Sequence, residues 1–108
     1  MKQQYIRSKP LLKLVASLDC QRCGSGSQVQ AAHSNMSQHG KGRSIKASDE
    51  YTAALCQTCH YEIDQGSKLS RVERQEAWTR AHIKTVKSLL DSGQWPVDIP
   101  VPELELRG

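Results

Sequence analysis

Two short cysteine pairs constrain the fold of this 108-residue chain more than any other feature. Cys20 and Cys23 form one C-x2-C pair, Cys56 and Cys59 form a second, and 32 residues separate the pairs. Two residues between cysteines let both sulfurs of a pair face one ion, and four thiolates suit tetrahedral Zn²⁺. The sequence therefore predicts one closed four-cysteine zinc site, in which every ligand position is taken and the metal is structural.

Paired cysteines also occur in disulfide bonds and in redox-active sites. A redox pair of the thioredoxin type is one C-x2-C in a βαβ setting, whereas this sequence has two pairs and no such setting. The first twenty residues carry four cations and no apolar signal segment, which predicts a cytoplasmic protein with reduced thiols. No run approaches the roughly 18 apolar residues of a membrane span, so no membrane association is expected. Structural zinc is therefore the favoured interpretation.

Charge is distributed unevenly along the chain, whose net charge is +4. Residues 1–48 hold eight basic residues and one acid, a net charge of +7, whereas residues 49–108 have a net charge of −3. A basic half predicts a polyanionic partner, and DNA is the partner we expect, although an ordinary solvated surface would show the same charge. Three of the cations, Lys41, Arg43 and Lys46, lie in a glycine-rich segment and are predicted to grip the nucleic-acid backbone.

The hydrophobic pattern predicts an α+β domain. Residues 1–9 are expected to form a basic arm, residues 10–93 the folded domain, and residues 94–108 an extended tail rich in proline. Within the domain the pattern predicts a short helix from Pro10, a strand over 28–33 and a loop over 34–48. It further predicts a helix over 56–65 and a long helix over 71–91 that begins with a Ser70/Glu73 capping box. Residues 49–55 fit either a strand or a helical turn.

His60 and Asp64 lie four residues apart in the predicted helix after the second cysteine pair. Residues at this spacing share one helix face, where an imidazole and a carboxylate make half of a site for a hard metal ion. Taken alone, the same pair is more often a weak surface ion pair. His33, which ends the predicted first strand, is by itself an unremarkable histidine.

The arrangement of these motifs resembles the HNH (ββα-metal) endonuclease superfamily. The resemblance covers residues 20–64 and is nearest to small phage and prophage nucleases of the YbcO type. It is carried by the two cysteine pairs, Ala32-His33, Gly40-Lys41-Gly42 with Lys46 and Asp49, and the run from Leu55 to Asp64. It implies a small ββα-metal domain, also called a His-Me finger, braced by the four-cysteine zinc site and flanked by helices.

The resemblance also implies roles for individual residues. His33 would be the general base, and His60 and Asp64 would hold one catalytic divalent metal, which would be Mg²⁺, Mn²⁺, Ni²⁺ or Zn²⁺. The ion would polarise the scissile phosphate and stabilise the leaving oxygen. Many members of the superfamily have a metal ligand where this chain has Ala32 and an asparagine where it has Tyr51. Asp49 or Asn35 would then supply the missing group.

Three functions are compatible with the sequence. The favoured hypothesis is a metal-dependent DNA endonuclease of phage type, acting in phage DNA recombination or processing. A non-catalytic zinc-ribbon module that binds nucleic acid would need the cysteines and the cations but no histidine. A zinc-stapled protein-interaction adaptor would instead use the long helix and the proline-rich tail.

Overall fold

The computed structural model describes residues 6–36 and 47–102. It is a small α+β domain, as the sequence predicts, with a two-stranded sheet and three helices in the described residues. The elements are, in chain order, α1 (Lys9–Ala16), β1 (Val29–His33), β2 (Thr52–Cys56), α2 (Gln57–Asp64) and α3 (Arg71–Asp91).

The two strands pair antiparallel, with Val29 opposite Cys56 and His33 opposite Thr52. β2 leads directly into α2, because Cys56 is both the last residue of the strand and the N-cap of the helix. Its Sγ accepts a hydrogen bond from the backbone N–H of Cys59 at 3.5 Å. The strand-strand-helix order therefore places the second cysteine pair at the junction of sheet and helix.

Each face of the sheet is covered by a separate apolar cluster. On one face, Ala54 of β2 packs with Leu11 and Val15 of α1 and with Leu89 of α3. On the other face lies a larger cluster drawn from both strands, three of the four cysteines, α2 and α3; its members include Ala32, Ala53, Leu55, Ile63, Trp78 and Ala81. All five residues of β2 are buried, because helices pack against both of its faces.

The outer edge of β2 is closed by side chains instead of a third strand. The hydroxyl of Thr85 accepts a hydrogen bond from Ala54 N–H at 2.9 Å, and His82 Nδ1 donates to the Thr52 carbonyl at 2.8 Å. The backbone N–H of Gln21 donates to the Ala54 carbonyl at 2.8 Å. An open strand edge invites pairing with another chain, and these bonds protect the β2 edge from it.

The folded body begins before residue 10. Ser8 is the N-cap of α1, with its hydroxyl accepting from Leu11 N–H, and Pro10 lies in the first turn, where a missing N–H costs nothing. Ile6 N–H donates to the Ser48 hydroxyl at 2.5 Å. Residues 6–9 therefore belong to the domain, and of the predicted basic arm only residues 1–5 lie outside the described part.

The long helix begins and ends as its sequence predicts. Ser70 and Glu73 form the reciprocal capping box, and α3 ends just before Gly93, whose φ of +73° favours glycine. Residues 94–102 contain no helix, but they fold back on the domain. The indole N–H of Trp95 donates to the Ile99 carbonyl at 2.9 Å, and Ile99 is buried. The remainder of the predicted tail, residues 103–108, lies outside the described part.

Candidate functional site

The four cysteines form one compact cluster. Their sulfurs lie within 4.8 Å of one another, and Cys23 Sγ is 3.6 Å from Cys56 Sγ. Two sulfurs bound to one tetrahedral zinc at about 2.3 Å lie about 3.8 Å apart, so the cluster has the dimensions of a ZnS₄ site. In both pairs, the backbone N–H of the second cysteine donates to the first sulfur, at 3.4 Å in one pair and 3.5 Å in the other. The four cysteines are therefore positioned to bind a metal ion.

The surroundings of the thiols favour unequal protonation when the metal is absent. Burial raises the pKa of the Cys20 thiol, but backbone N–H groups around it stabilise the thiolate more strongly, and its pKa falls to about 6. Burial raises the pKa of the Cys59 thiol to about 12, against the opposing effect of the neighbouring Arg22 guanidinium. Metal binding at neutral pH must therefore release protons from the cluster.

Arg22 links the first cysteine pair to α2. Its guanidinium donates to Glu62 Oε1 at 2.7 Å, and Lys68 lies 3.6 Å from the other oxygen of the same carboxylate. The Arg22 hydrogen bond, chiefly, holds the pKa of Glu62 below its usual range. The cysteine cluster is thus tied to the helix that carries His60 and Asp64.

His60 and Asp64 lie together on one face of α2. His60 Nε2 is 3.3 Å from Asp64 Oδ2, and the two side chains are 29% and 30% exposed. The pair borders an open groove of about 240 Å³ that is lined by Gln30, Gln57, His60, Tyr61, Asp64 and Gln65. Both side chains are therefore partly accessible to solvent.

Two neighbouring amides orient this pair. The side-chain oxygen of Gln30, in β1, accepts a hydrogen bond from His60 Nδ1 at 2.6 Å. The side-chain amide of Asn35 donates to Asp64 Oδ1, which leaves Oδ2 facing His60. An amide oxygen can only accept, so Nδ1 is the donor to Gln30, and Nε2 is the ring nitrogen directed at Asp64. The resemblance implies Asn35 as a possible ligand, but nothing in the sequence spacing points to Gln30, because it does not show that β1 passes beside α2.

His33 is held by a buried carboxylate. Its Nε2 donates to Asp49 Oδ1 at 2.8 Å, and only 3% of Asp49 is exposed. Asp49 Oδ2 accepts from Ser8 N–H at 2.7 Å, and Arg7 lies 3.5 Å from Oδ1. Asp49 therefore fixes the orientation of the His33 ring and attaches the start of α1 to the turn before β2.

The structure brings the predicted site residues together in two groups. His60 and Asp64 lie with Gln30, whereas His33 lies with Asp49. Successive side chains in a strand point to opposite faces, so Gln30 and His33 in β1 face opposite sides of the sheet. Across residues 6–36 and 47–102, the cysteine cluster is the one set of three or more Cys, His, Asp or Glu ligands found close enough to hold an ion.

The two positions that depart from the superfamily pattern are both part of the core. Ala32 is buried, and its carbonyl accepts a hydrogen bond from the indole of Trp78 at 3.0 Å. Tyr51 packs against the apolar cluster that contains Ala32 and Trp78, with its ring centroid 5.9 Å from that of His82. The predicted DNA-gripping residues Lys41, Arg43 and Lys46 lie outside the described residues.

These features define a small α+β domain with a four-cysteine cluster that is positioned to bind a metal ion. No family model matches the sequence, and no curated protein matches it. A solved structure described as "Structure of a putative bacteriophage protein from Escherichia coli str. K-12 substr. MG1655" has a similar fold, with a TM-score of 0.57 and 19% sequence identity. The alignment covers 75% of this chain and 96% of that chain. At this identity the similarity shows the fold alone.

One further property concerns the helices. Among those formed by the described residues, none has both the length and the apolar character needed to cross a bilayer.

Proposed function

We propose that the protein is a metal-dependent DNA endonuclease of the HNH (ββα-metal) type that hydrolyses phosphodiester bonds. The observation that carries the proposal is the pairing of His60 Nε2 with Asp64 Oδ2 beside an open groove, on the helix that follows the strand pair. The cysteine cluster braces that helix from its first turn.

The geometry of the pair fits two ligands of one ion. Ligand atoms about 2.1 Å from a shared metal, at angles of about 90° to 110°, lie about 3.0 to 3.4 Å apart. The distance between His60 Nε2 and Asp64 Oδ2 is 3.3 Å. An imidazole and a carboxylate suit Mg²⁺, Mn²⁺, Ni²⁺ or Zn²⁺, and exposure of both side chains leaves room for water and a phosphate oxygen. When bound, the ion would neutralise charge that builds on the phosphate during cleavage.

The chain's own residues would do the remaining work. Gln30 and Asn35 fix the two ligand atoms, so little reorganisation is needed when an ion arrives. Asp49 engages His33 through Nε2, so Nδ1 would be the nitrogen that takes a proton from water. His33 is the last residue of β1, so it would reach the substrate from the end of the strand and not from the face that carries Gln30.

Two further observations support a nucleic-acid substrate of phage origin. Residues 1–48 carry a net charge of +7, which favours a polyanion. The protein of similar fold is described as a putative bacteriophage protein. A role in phage DNA recombination or processing in the cytoplasm is part of the proposal.

A zinc-stapled module that binds DNA without cutting it is the second candidate. It is favoured by Ala32, which is buried where many nucleases of this superfamily carry a metal ligand. Such a module would use the cysteines and cations alone, and its binding to DNA would weaken steeply with salt.

A plasmid-cleavage assay separates the two candidates. We expect the zinc-loaded protein to nick or linearise supercoiled DNA when Mg²⁺, Mn²⁺ or Ni²⁺ is added. His60→Ala, Asp64→Asn and His33→Ala should each lose cutting while retaining zinc and the helical circular dichroism of the parent. Val72→Ala, at an exposed position of α3, is the matched control. Salt-sensitive DNA binding without cutting under any metal would favour the binding module.

A further inference from the structure

The groove beside His60 and Asp64 has a second row of side chains. Gln57, Tyr61 and Gln65 follow one another at intervals of four residues, so they lie on one side of α2 and its C-cap. His60 and Asp64 form the neighbouring row. A ligand whose phosphate reached the histidine and the aspartate would therefore place its next chemical group against Tyr61.

The residues that line the groove are unusual for a surface that contacts a DNA backbone. The six described residues that line the groove include no lysine or arginine, and one of them is the acidic Asp64. Contacts to the backbone of a double or a single strand depend on lysine and arginine, so this lining is suited to contact a base and not the backbone. Gln57 and Gln65 offer exposed amides, and Tyr61 is 59% exposed.

An exposed aromatic ring flanked by amides suits an unpaired base. Unstacked bases pack on aromatic rings, and their edges exchange hydrogen bonds with amide donors and acceptors. A base inside a duplex offers neither its face nor its pairing edge. The groove is also open to solvent, so a base attached to a strand can enter from the side.

We propose that this groove holds an unpaired DNA base next to the phosphate at His60 and Asp64, with Tyr61 as the stacking platform. The preferred substrate is therefore single-stranded DNA, or the unpaired segment of a gapped or branched duplex. This inference rests on the proposed nuclease function for its biological meaning, but the groove can be tested without any cleavage.

The test is the binding of a fluorescein-labelled oligothymidylate, compared with a blunt duplex of the same length, by fluorescence anisotropy. The protein is used with one equivalent of zinc, enough for the cysteine cluster alone, and with no other divalent metal, so that nothing is cut. Tyr61→Ala should weaken binding of the single strand by at least about fivefold, the lower end of the effect of losing one stacked base. Binding of the duplex should change less than binding of the single strand.

The matched variants are Tyr61→Phe, which keeps a ring, and Val72→Ala, which removes an exposed apolar side chain from α3. Both should bind the single strand as the parent protein does. Equal losses for both DNA forms, or no loss for Tyr61→Ala, would overturn the assignment of the groove.

A parallel plasmid-cleavage measurement separates the two proposals. Binding of the single strand that depends on Tyr61, in a protein that never cuts, would refute the nuclease and leave the groove assignment standing. Cutting that requires His60 but is indifferent to Tyr61 on both single-stranded and duplex DNA would refute the groove assignment alone.

Discussion

Thermal stability should depend on the concentration of free zinc. The four cysteine sulfurs lie within 4.8 Å of one another, and three of the four residues are buried in the domain. An ion bound only by the folded state stabilises it by about 1.4 kcal/mol for each tenfold excess over its dissociation constant. For a domain of about 100 residues, 1 kcal/mol shifts the midpoint by about 4 to 8 °C. Each tenfold rise in free zinc above the dissociation constant should therefore raise the midpoint by about 6 to 11 °C.

The assay is differential scanning calorimetry in metal-buffered solutions that set free zinc over several decades. Cys23→Ser should abolish the dependence, because an exposed hydroxyl replaces one thiolate ligand while the buried packing stays unchanged. Ser27→Ala, at an exposed position in the same loop, should retain it. A midpoint that does not respond to free zinc would refute the assignment of these cysteines as a structural metal site.

Three further substitutions test the packing and the polar contacts of the site. Gln30→Leu removes the acceptor for His60 Nδ1 and should lower Mn²⁺ affinity about 10- to 100-fold, whereas Gln30→Glu should retain binding. Calorimetric titration measures both affinities. Equal affinities of the two variants would contradict the role of Gln30 in orienting His60. Asp49→Asn replaces a buried, hydrogen-bonded carboxylate and should lower the free energy of unfolding by about 1.5 to 3 kcal/mol in urea, so a change within about 0.5 kcal/mol would argue against it. Leu55→Ala, at a position with 0% exposure, should cost about 2 to 5 kcal/mol in the same assay, against a much smaller loss for Leu90→Ala, which is 39% exposed.

The features that were predictable from sequence are those set by local chemistry. The capping box at Ser70 and Glu73 marks the start of α3, and the glycine that follows the helix marks its end. Each helix end is therefore set by residues within a few positions of it. The C-x2-C spacing likewise determines that the two sulfurs of each cysteine pair face the same point. The close approach of the four sulfurs follows from that spacing once the chain forms the antiparallel pair.

The sequence does not distinguish a strand from a helical turn at β2, for a physical reason. A strand that is exposed on one face alternates polar and apolar residues, but Thr52–Cys56 is buried on both faces and therefore shows no alternation. Helices α1 and α3 cause this burial, and their positions are not encoded in those five residues. The strand could be assigned only after its neighbours were placed.

The polar contacts of the candidate site were hard to predict because their partners are distant in sequence. Gln30 meets His60 across 30 residues, and His33 meets Asp49 across 16. Asp49 was named as a substitute metal ligand, but in the structure it is bonded to His33 and to the start of α1. Its role there is to position His33. Side-chain spacing in one sequence does not reveal such pairings.

The proposed nuclease function depends most on whether His60 and Asp64 share one ion. Calorimetric titration of Mn²⁺ into the zinc-loaded protein tests it directly, with Asp64→Asn and His60→Ala as comparisons. The parent protein should bind one equivalent of Mn²⁺ in addition to the zinc, and neither variant should bind any Mn²⁺. Binding of the same equivalent by all three proteins, or by none of them, would contradict the claim.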